Sequence, residues 1–182
     1  MQTLVSFKED LCREDFNAIP FINADGYHSK TIAYSIWHIF RIEDIVAHTV
    51  ITEDEQVFFT GNYQVRINSP IITTGNELVK QQIADFSKQV NLEELYSYIF
   101  EVRESTEKIL ERFSYDELKW KIPDERKGYL KSLNVVNCDE KAIWLIDYWC
   151  SKDIRGLIQM PFSRHWIMHT EACLRIKNKM HS

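Results

Sequence analysis

Residues 29–51 read SKTIAYSIWHIFRIEDIVAHTVI, and apolar side chains recur along this stretch at intervals of three and four positions. Such spacing is typical of an α-helix with one face in a hydrophobic core. The turn dipeptide Asp25-Gly26 stands just before the stretch. We therefore predict a long helix over residues 29–51 as the first main element of the fold.

The rest of the chain alternates helical patterns with punctuated connections. The same spacing predicts four further helices, over residues 76–90, 91–113, 137–155 and 161–180. Residues typical of helix starts stand at Asn76, at Asn91 with Glu94, at Asn137 with Glu140, and at Pro161. Gly156 is typical of a helix end. Long connections are predicted over residues 52–75, with a short helix near 53–59, and over residues 124–136.

Composition supports a single helical domain spanning residues 1–182. Hydrophobic residues make up 45% of the chain and aromatic residues 13%, which is enough to form a sizeable core. Only 5 Gly and 4 Pro interrupt it, and no strand-like alternation is present. We predict an all-α fold, a bundle of long helices with an accessory N-terminal segment and long loops.

Charge and cysteine patterns exclude several classes of protein. The net charge is −5 and no Lys/Arg run occurs, so no nucleic-acid partner is expected. No apolar run approaches the ~20 residues needed to cross a bilayer, so no membrane association is expected. Lys8, Glu9 and Asp10 interrupt any N-terminal leader. The four cysteines form no CxxC pair and are expected to be reduced. We predict a soluble, cytoplasmic protein.

Two histidines lie four residues apart in the last predicted helix. His165 and His169 are about 40° apart in projection and about 6 Å apart along the axis, so both imidazoles can reach one point. Phe162, Ala172 and Ile176 share this face, which makes it the core-facing side. Buried imidazole nitrogens need polar partners, and one metal ion would satisfy both rings. Structural histidines are the alternative, because such pairs also arise by chance.

A third histidine, His38, lies in the middle of the first long helix. Projection places Ile42 and Ile45 on its face, so it also points inward. Helical bundles commonly assemble metal ligands from inward-facing residues on different helices. The pattern therefore predicts a divalent metal site formed by His38, His165 and His169. The alternative partner for His38 is a backbone carbonyl or a carboxylate such as Asp147.

The placement of these histidines resembles the DinB/YfiT-like superfamily. One histidine stands in the early segment SIWHI (35–39) and two stand in the late segment HWIMH (165–169). The resemblance covers roughly residues 30–179. It implies an up-down-down-up four-helix bundle, often dimeric, with a three-histidine site for zinc, nickel or a related ion. Some members of that family are S-transferases that use bacillithiol or mycothiol, and others are suspected hydrolases.

Two functions remain open on these residues. Three imidazoles leave a coordination position free, which is typical of catalytic zinc sites, although nickel, cobalt or iron would accept the same ligands. We expect a metal-dependent thiol S-transferase or hydrolase acting on a small-molecule substrate, with a low-molecular-weight thiol as the implied partner. The alternative is a non-catalytic metal-binding or adapter module, stress-related or phage-associated. Support for this alternative comes from residues 169–173, which read HTEAC where many members have HRGQ, and from the absence of an obvious general base. A homodimer is also expected.

Three carboxylates near the predicted site have expected roles other than metal binding. Glu43 and Asp44 follow His38 closely, but projection turns both more than about 100° away from its face. We expect them to be solvated or helix-packing charges. Asp147 stands alone in the apolar segment AIWLIDYWC (142–150) and is the candidate for a buried acid that orients an imidazole. Its alternative partner is an N–H group or an arginine in the core.

Three further features remain. Two of them have two interpretations each, and the third is expected to be core packing. Arg41 could bind a substrate anion, but surface pairing with Asp44 is favoured. Cys173 continues the stripe of His165 and His169, as a fourth ligand or as a small buried residue. Aromatic residues of the helix at 137–155 are expected in the core: Trp144, Tyr148 and Trp149.

Overall fold

Helices are the regular structure of residues 1–181, the part of the chain that this computed structural model describes. In chain order they are α1 Gln2–Asp10, α2 Arg13–Asn17, α3 Ile32–Asp44, α4 Val57–Thr60, α5 Tyr63–Ile67, α6 Gln81–Gln89, α7 Leu92–Leu110, α8 Arg126–Ser132, α9 Glu140–Cys150, α10 Ile154–Gln159 and α11 His165–Met180. An isolated bridge joins Lys121 to Asp153. The all-α class is confirmed. No helix within the described residues has both the length and the apolarity that crossing a bilayer requires.

The central element is α3, which is buried on every side. All 13 of its residues are buried, and it packs against α2, α6, α7 and α11. Its start is capped by Thr31, whose hydroxyl oxygen accepts the N–H of Tyr34. The chain continues without a break as a π-helical segment, Ile45–Thr52, which packs against α8 and α9. The helix predicted over residues 29–51 is therefore present from residue 32 to residue 52.

Two apolar clusters form the core, and α3 with its continuation contributes to both. Trp37 and Phe40 pack in the cluster built with α6 and α7. Ile42 and Val46 pack in the cluster built with α9. Each large side chain buried in this way contributes about 1.5–3 kcal/mol relative to exposure. Because every face of α3 has a partner, its polar side chains must also find partners in the interior.

Asp44 has partners on both its carboxylate oxygens. Its Oδ1 accepts the N–H of Val57 and its Oδ2 the N–H of Phe58, each at 2.9 Å, so the carboxylate binds the start of α4. The hydroxyl of Tyr98 on α7 donates to Oδ2 at 2.8 Å. Arg41 lies 3.5 Å from the same carboxylate, and both side chains are fully buried. The predicted Arg41–Asp44 pair is formed, but it lies in the interior and not at the surface.

Glu43 is also buried, between α3, α7 and α11. It accepts the indole N–H of Trp166 at 2.8 Å, and Arg103 lies 3.6 Å away. Burial raises the pKa of Glu43 to about 7, although the charge of Arg103 opposes this shift. Of the two expectations for Glu43 and Asp44, solvated charges are wrong and helix-packing charges are right. Projection from His38 assumed a solvent face, and a central helix has none.

Several predicted helix boundaries are wrong for local reasons. The helix expected over 76–90 spans only α6, and the connection expected over 124–136 contains α8. The helix expected over 137–155 is divided into α9 and α10, because the Asp153 carboxylate accepts the N–H of Gly156 and starts a new helix. Gly156 therefore lies inside α10 and does not end a helix.

Capping predictions had mixed outcomes. Asn91 caps α7 as predicted and accepts the N–H groups of Glu93 and Glu94. The side chain that caps α9 belongs to Asp139, two residues after the predicted Asn137. Pro161 lies in a π-helical turn, Met160–Arg164, that leads directly into α11. The shift of two residues at the start of α9 is within the usual uncertainty of cap assignment from sequence.

We predict that replacing Asp44 by asparagine lowers the free energy of unfolding by about 3–5 kcal/mol, because the substitution leaves the buried Arg41 guanidinium without its counter-ion. Urea denaturation followed by circular dichroism measures this change. The matched control is Asp147→Asn, since the Asp147 side chain is 78% exposed and pairs with Lys127 at the surface. That variant should lose no more than about 1 kcal/mol. Equal losses in the two variants would contradict the role of Asp44.

Candidate metal centre

His38 is fixed in position and tautomer by its surroundings on α3. Its Nδ1 lies 2.6 Å from the backbone carbonyl oxygen of Thr74. A carbonyl can only accept, so Nδ1 carries the hydrogen and donates it. The ring of Tyr34 stacks on the imidazole, with centroids 5.4 Å apart and planes at 11°. The Nε2 of His38 therefore presents a lone pair toward α11, in the way that metal-binding histidines are oriented by a second hydrogen bond.

His165 and His169 meet His38 from the first turns of α11. Their ring centroids are 4.5 Å apart, and they lie 5.0 Å and 4.8 Å from that of His38. One nitrogen from each residue lies within 4.8 Å of the other two. The structure thus brings together all three histidines that the sequence singled out, across more than 120 residues of chain.

The spacing of the nitrogens fits a divalent ion. The Nε2 atoms of His38 and His165 are 3.2 Å apart. Two nitrogens bound to one zinc ion at 2.0–2.1 Å with tetrahedral angles lie about 3.3 Å apart. The Nδ1 atoms of His165 and His169 are buried and have no hydrogen-bond partner. Without an ion, one hydrogen between the two Nε2 atoms accounts for the 3.2 Å distance, but the two buried Nδ1 atoms still lack partners. The nitrogens of the group are spaced as the ligands of one cation are.

Electrostatics keep the three imidazoles neutral, as metal ligands must be. Burial lowers the pKa of His38 to about 4. Burial also lowers the pKa of His165 and of His169 well below 6.5, and the neighbouring histidines add to this effect. The charge of Lys30 contributes to the lowered pKa of His38 and of His169. At neutral pH each ring therefore retains a lone pair for coordination.

The three histidines line a cavity of about 810 Å³. Asp25 is the one acidic residue among the residues that line it within the described part of the chain. Asp147, the candidate for a buried acid beside an imidazole, points away to solvent and binds Lys127 at 2.8 Å. That prediction is wrong, because the Asp147 side chain lies on the solvent-exposed side of α9, beside Lys127 of α8, and does not face the histidines. The only hydrogen-bonding partner found for His38 outside the group is the Thr74 carbonyl, within residues 1–181.

The other candidate residues are resolved by their packing. Arg41 donates through Nε to the carbonyl of Ile72 at 2.9 Å, and its guanidinium lies over the ring of Phe58. It is therefore committed to the interior and not available for a substrate anion. Cys173 is fully buried outside the group of ligands, and burial raises the pKa of its thiol to about 12. Its interpretation as a small core residue fits better than that of a fourth ligand.

The aromatic residues of α9 are divided between core and cavity. Trp149 is buried as predicted. Trp144 is 49% exposed, so its assignment to the core is wrong, and Tyr148 is only half-buried. All three side chains line the cavity beside the histidines. The helix α9 thus supplies a wall of the site as well as part of the core.

A second histidine group was not anticipated from the sequence. The Nδ1 of His48 lies 2.9 Å from Asp44, and its Nε2 lies 2.8 Å from the hydroxyl of Ser105. Burial alone would lower the pKa of His48, but hydrogen bonds and charge from Asp44 outweigh it and the pKa is raised. To act as a nucleophile, Ser105 would need nearby N–H donors that stabilise an oxyanion. It lies inside α7, where the backbone N–H groups are already hydrogen-bonded within the helix. We interpret this group as helix packing.

The sequence could have predicted the pairing of Asp44 with His48, because residues four positions apart on one helix face each other. The sequence held no such signal for Ser105, since its contact with His48 spans 57 positions and depends on how α7 packs.

No protein-family model and no curated protein matches this chain.

We predict that the metal-free protein becomes less stable as the pH falls from 7 to 5.5. The lowered pKa values mean that the unfolded chain binds more protons than the folded chain below pH 6.5. Each such histidine then costs about 1.4 kcal/mol per pH unit until the pH reaches its folded pKa. Urea midpoints measured after chelation report this loss.

The comparison protein is the double variant His165→Gln/His169→Gln, which should show a smaller loss over the same interval. Glu43 and His48 titrate in both proteins, so their effects cancel in the difference. The raised pKa of Glu43 increases the stability of the folded protein as the pH falls. The raised pKa of His48 contributes stability that is lost as the pH rises. Equal slopes would show that these imidazoles are not buried in the neutral form.

Proposed function

We propose that this chain is a metal-dependent enzyme of the thiol S-transferase or hydrolase type. Its metal would be one divalent ion, zinc or nickel, held by His38, His165 and His169. The observation that carries the proposal is that three neutral imidazoles, with ligand nitrogens within 4.8 Å of one another, open onto a cavity of about 810 Å³. A closed structural site would need a fourth protein ligand and no cavity.

The chain's own residues have identifiable tasks in such a site. A divalent ion, when bound, lowers the pKa of a water or thiol that shares it. The Thr74 carbonyl orients His38 and makes its imidazole a better metal ligand. Apolar side chains such as Ile42 and Leu145 line the cavity and exclude water around the reacting groups. The substrate of this proposal is a small molecule, with a low-molecular-weight thiol as the co-substrate in the transferase case.

The resemblance to the DinB/YfiT-like superfamily supports this proposal through the order of its histidines along the chain. It extends the proposal to an up-down-down-up four-helix bundle, to a homodimer and to a cytoplasmic location. The packing of α3 against α7 and α11 is compatible with such a bundle.

A non-catalytic metal-binding or adapter module is the second candidate. Two observations favour it. Residues 169–173 read HTEAC and not the HRGQ that many members of the superfamily have. The exposure of Asp147 also removes the acid that the sequence suggested, and Asp25 is the remaining carboxylate of the cavity lining in residues 1–181. A hydrolase or transferase without a general base would depend on the ion alone to activate its nucleophile.

Purified protein loaded with zinc should contain one ion per chain, and saturating zinc should raise its unfolding temperature, because only the folded state assembles the ligands. The double variant His165→Ala/His169→Ala should lose both effects. Elemental analysis and thermal denaturation measure them. The control is His181→Ala, since His181 is exposed and lies against Asp15, away from the cavity. Metal retained by the double variant at wild-type stoichiometry would exclude the three-histidine site.

Catalysis is tested with the metal-loaded protein on two panels of substrates, thiols with alkylating electrophiles and simple esters with amides. Turnover that disappears on chelation and in His38→Ala is the expected result, because the ion activates the nucleophile. Zinc bound at one per chain without turnover on either panel would favour the non-catalytic module.

A further inference from the structure

Three lysines face the cavity beside the histidines. Lys30, Lys80 and Lys141 line it, and Asp25 is the acidic residue that accompanies them. Within residues 1–181 none of these three ammonium groups forms an ion pair with a carboxylate. The chain as a whole carries a net charge of −5. With three lysines and one aspartate, the lining has a local charge of +2 (3 − 1), opposite in sign to the net charge of the chain.

Lys30 lies closest to the metal centre. Its Nζ lies 5.2 Å from the centre of the Tyr34 ring, and the same ring stacks on the imidazole of His38. Burial lowers the pKa of Lys30, and the charge of Lys141 lowers it further. Both ammonium groups line the same cavity, where Lys30 is half-buried and Lys141 is exposed. An anion between them would relieve the repulsion and would form charge-assisted hydrogen bonds.

The wall of the cavity that α9 supplies is apolar and aromatic. Trp144 and Tyr148 form an aromatic pair with ring centroids 5.7 Å apart at 71°. Leu145 and Trp149 continue this wall from the same helix. A volume of about 810 Å³ falls in the range of about 300–1,000 Å³ that encloses a whole small molecule, more than an inorganic anion requires.

We propose that this cavity binds a small organic anion with a flat apolar body. The anionic group contacts Lys30 and Lys141. The body lies along Trp144 and Tyr148, and the end that reacts points to the three histidines. This inference rests on the proposed function, because it names the substrate class of that metal centre. It adds a charge requirement that neither the histidines nor their resemblance to a family contains.

The first test measures binding of 2-naphthoate and of its neutral counterpart 2-naphthamide by quenching of tryptophan fluorescence. The protein is the full chain after chelation, so that direct coordination of the carboxylate to a metal cannot explain the result. We expect 2-naphthoate to bind at one per chain and at least about tenfold more tightly than 2-naphthamide, with an affinity that falls as salt is added. Equal binding of the two probes, or binding of neither, would overturn the proposal.

The second test uses lysine variants that keep the apolar stem. Lys30→Met and Lys141→Met should each weaken 2-naphthoate binding by about tenfold or more and leave 2-naphthamide unchanged. Lys30→Arg should retain most of the affinity because it keeps the charge. The matched control is Lys131→Met, an exposed lysine on α8 that does not line the cavity. Circular dichroism melting verifies that each variant is folded.

The outcomes separate this inference from the proposed function. Unchanged 2-naphthoate binding in folded Lys30→Met and Lys141→Met would overturn the anion site while leaving the metal centre intact. A protein that discriminates the two probes through its lysines but binds no metal would overturn the enzyme proposal, and the cavity would remain an anion-binding site.

Discussion

Burial of α3 on every side is the constraint on which the rest of the structure depends. A surface helix can turn its polar residues to water, but α3 has helices around its whole circumference. His38, Arg41, Glu43 and Asp44 therefore each need a partner within the protein, because an unpaired polar or charged group in the interior is costly. The partners come from α4, α7, α11 and the segment before α6, so the polar groups of one helix connect the whole fold.

The same constraint has opposite results along α3. Around Asp44 the interior is paired: two backbone N–H groups, a tyrosine hydroxyl, an arginine and His48 compensate one carboxylate. Around His38 the interior is only partly paired. One backbone carbonyl accepts a hydrogen bond from His38, while the Nδ1 atoms of His165 and His169 have no partner. The first arrangement compensates the charge of Asp44 and reads as structural, although two guanidinium nitrogens of Arg41 have no hydrogen-bond partner. The second opens onto a cavity, and for this reason we interpret it as a binding site.

The cavity combines features that differ in their specificity. Neutral histidines fit a cation, lysines without a carboxylate partner in residues 1–181 fit an anion, and the aromatic wall of α9 fits an apolar group. Each taken alone is common on proteins. Their convergence within about 810 Å³ describes one small molecule with a charged end and a reactive end. The buried Cys173 and the packed Asp44–His48–Ser105 group lack such a cavity-facing arrangement and need no ligand to explain them.

The sequence by itself determined the helical class, the long central helix and the inward direction of His38, His165 and His169, because these follow from a period of 3.6 residues. The tertiary structure decided what surrounds them. Glu43 became buried and Asp147 became exposed because burial depends on which helices pack against a face, and projection along one helix contains no information about its neighbours. The contact of His48 with Ser105 and the gathering of Lys30, Lys80 and Lys141 were likewise hidden, since both depend on approaches between segments far apart in the chain.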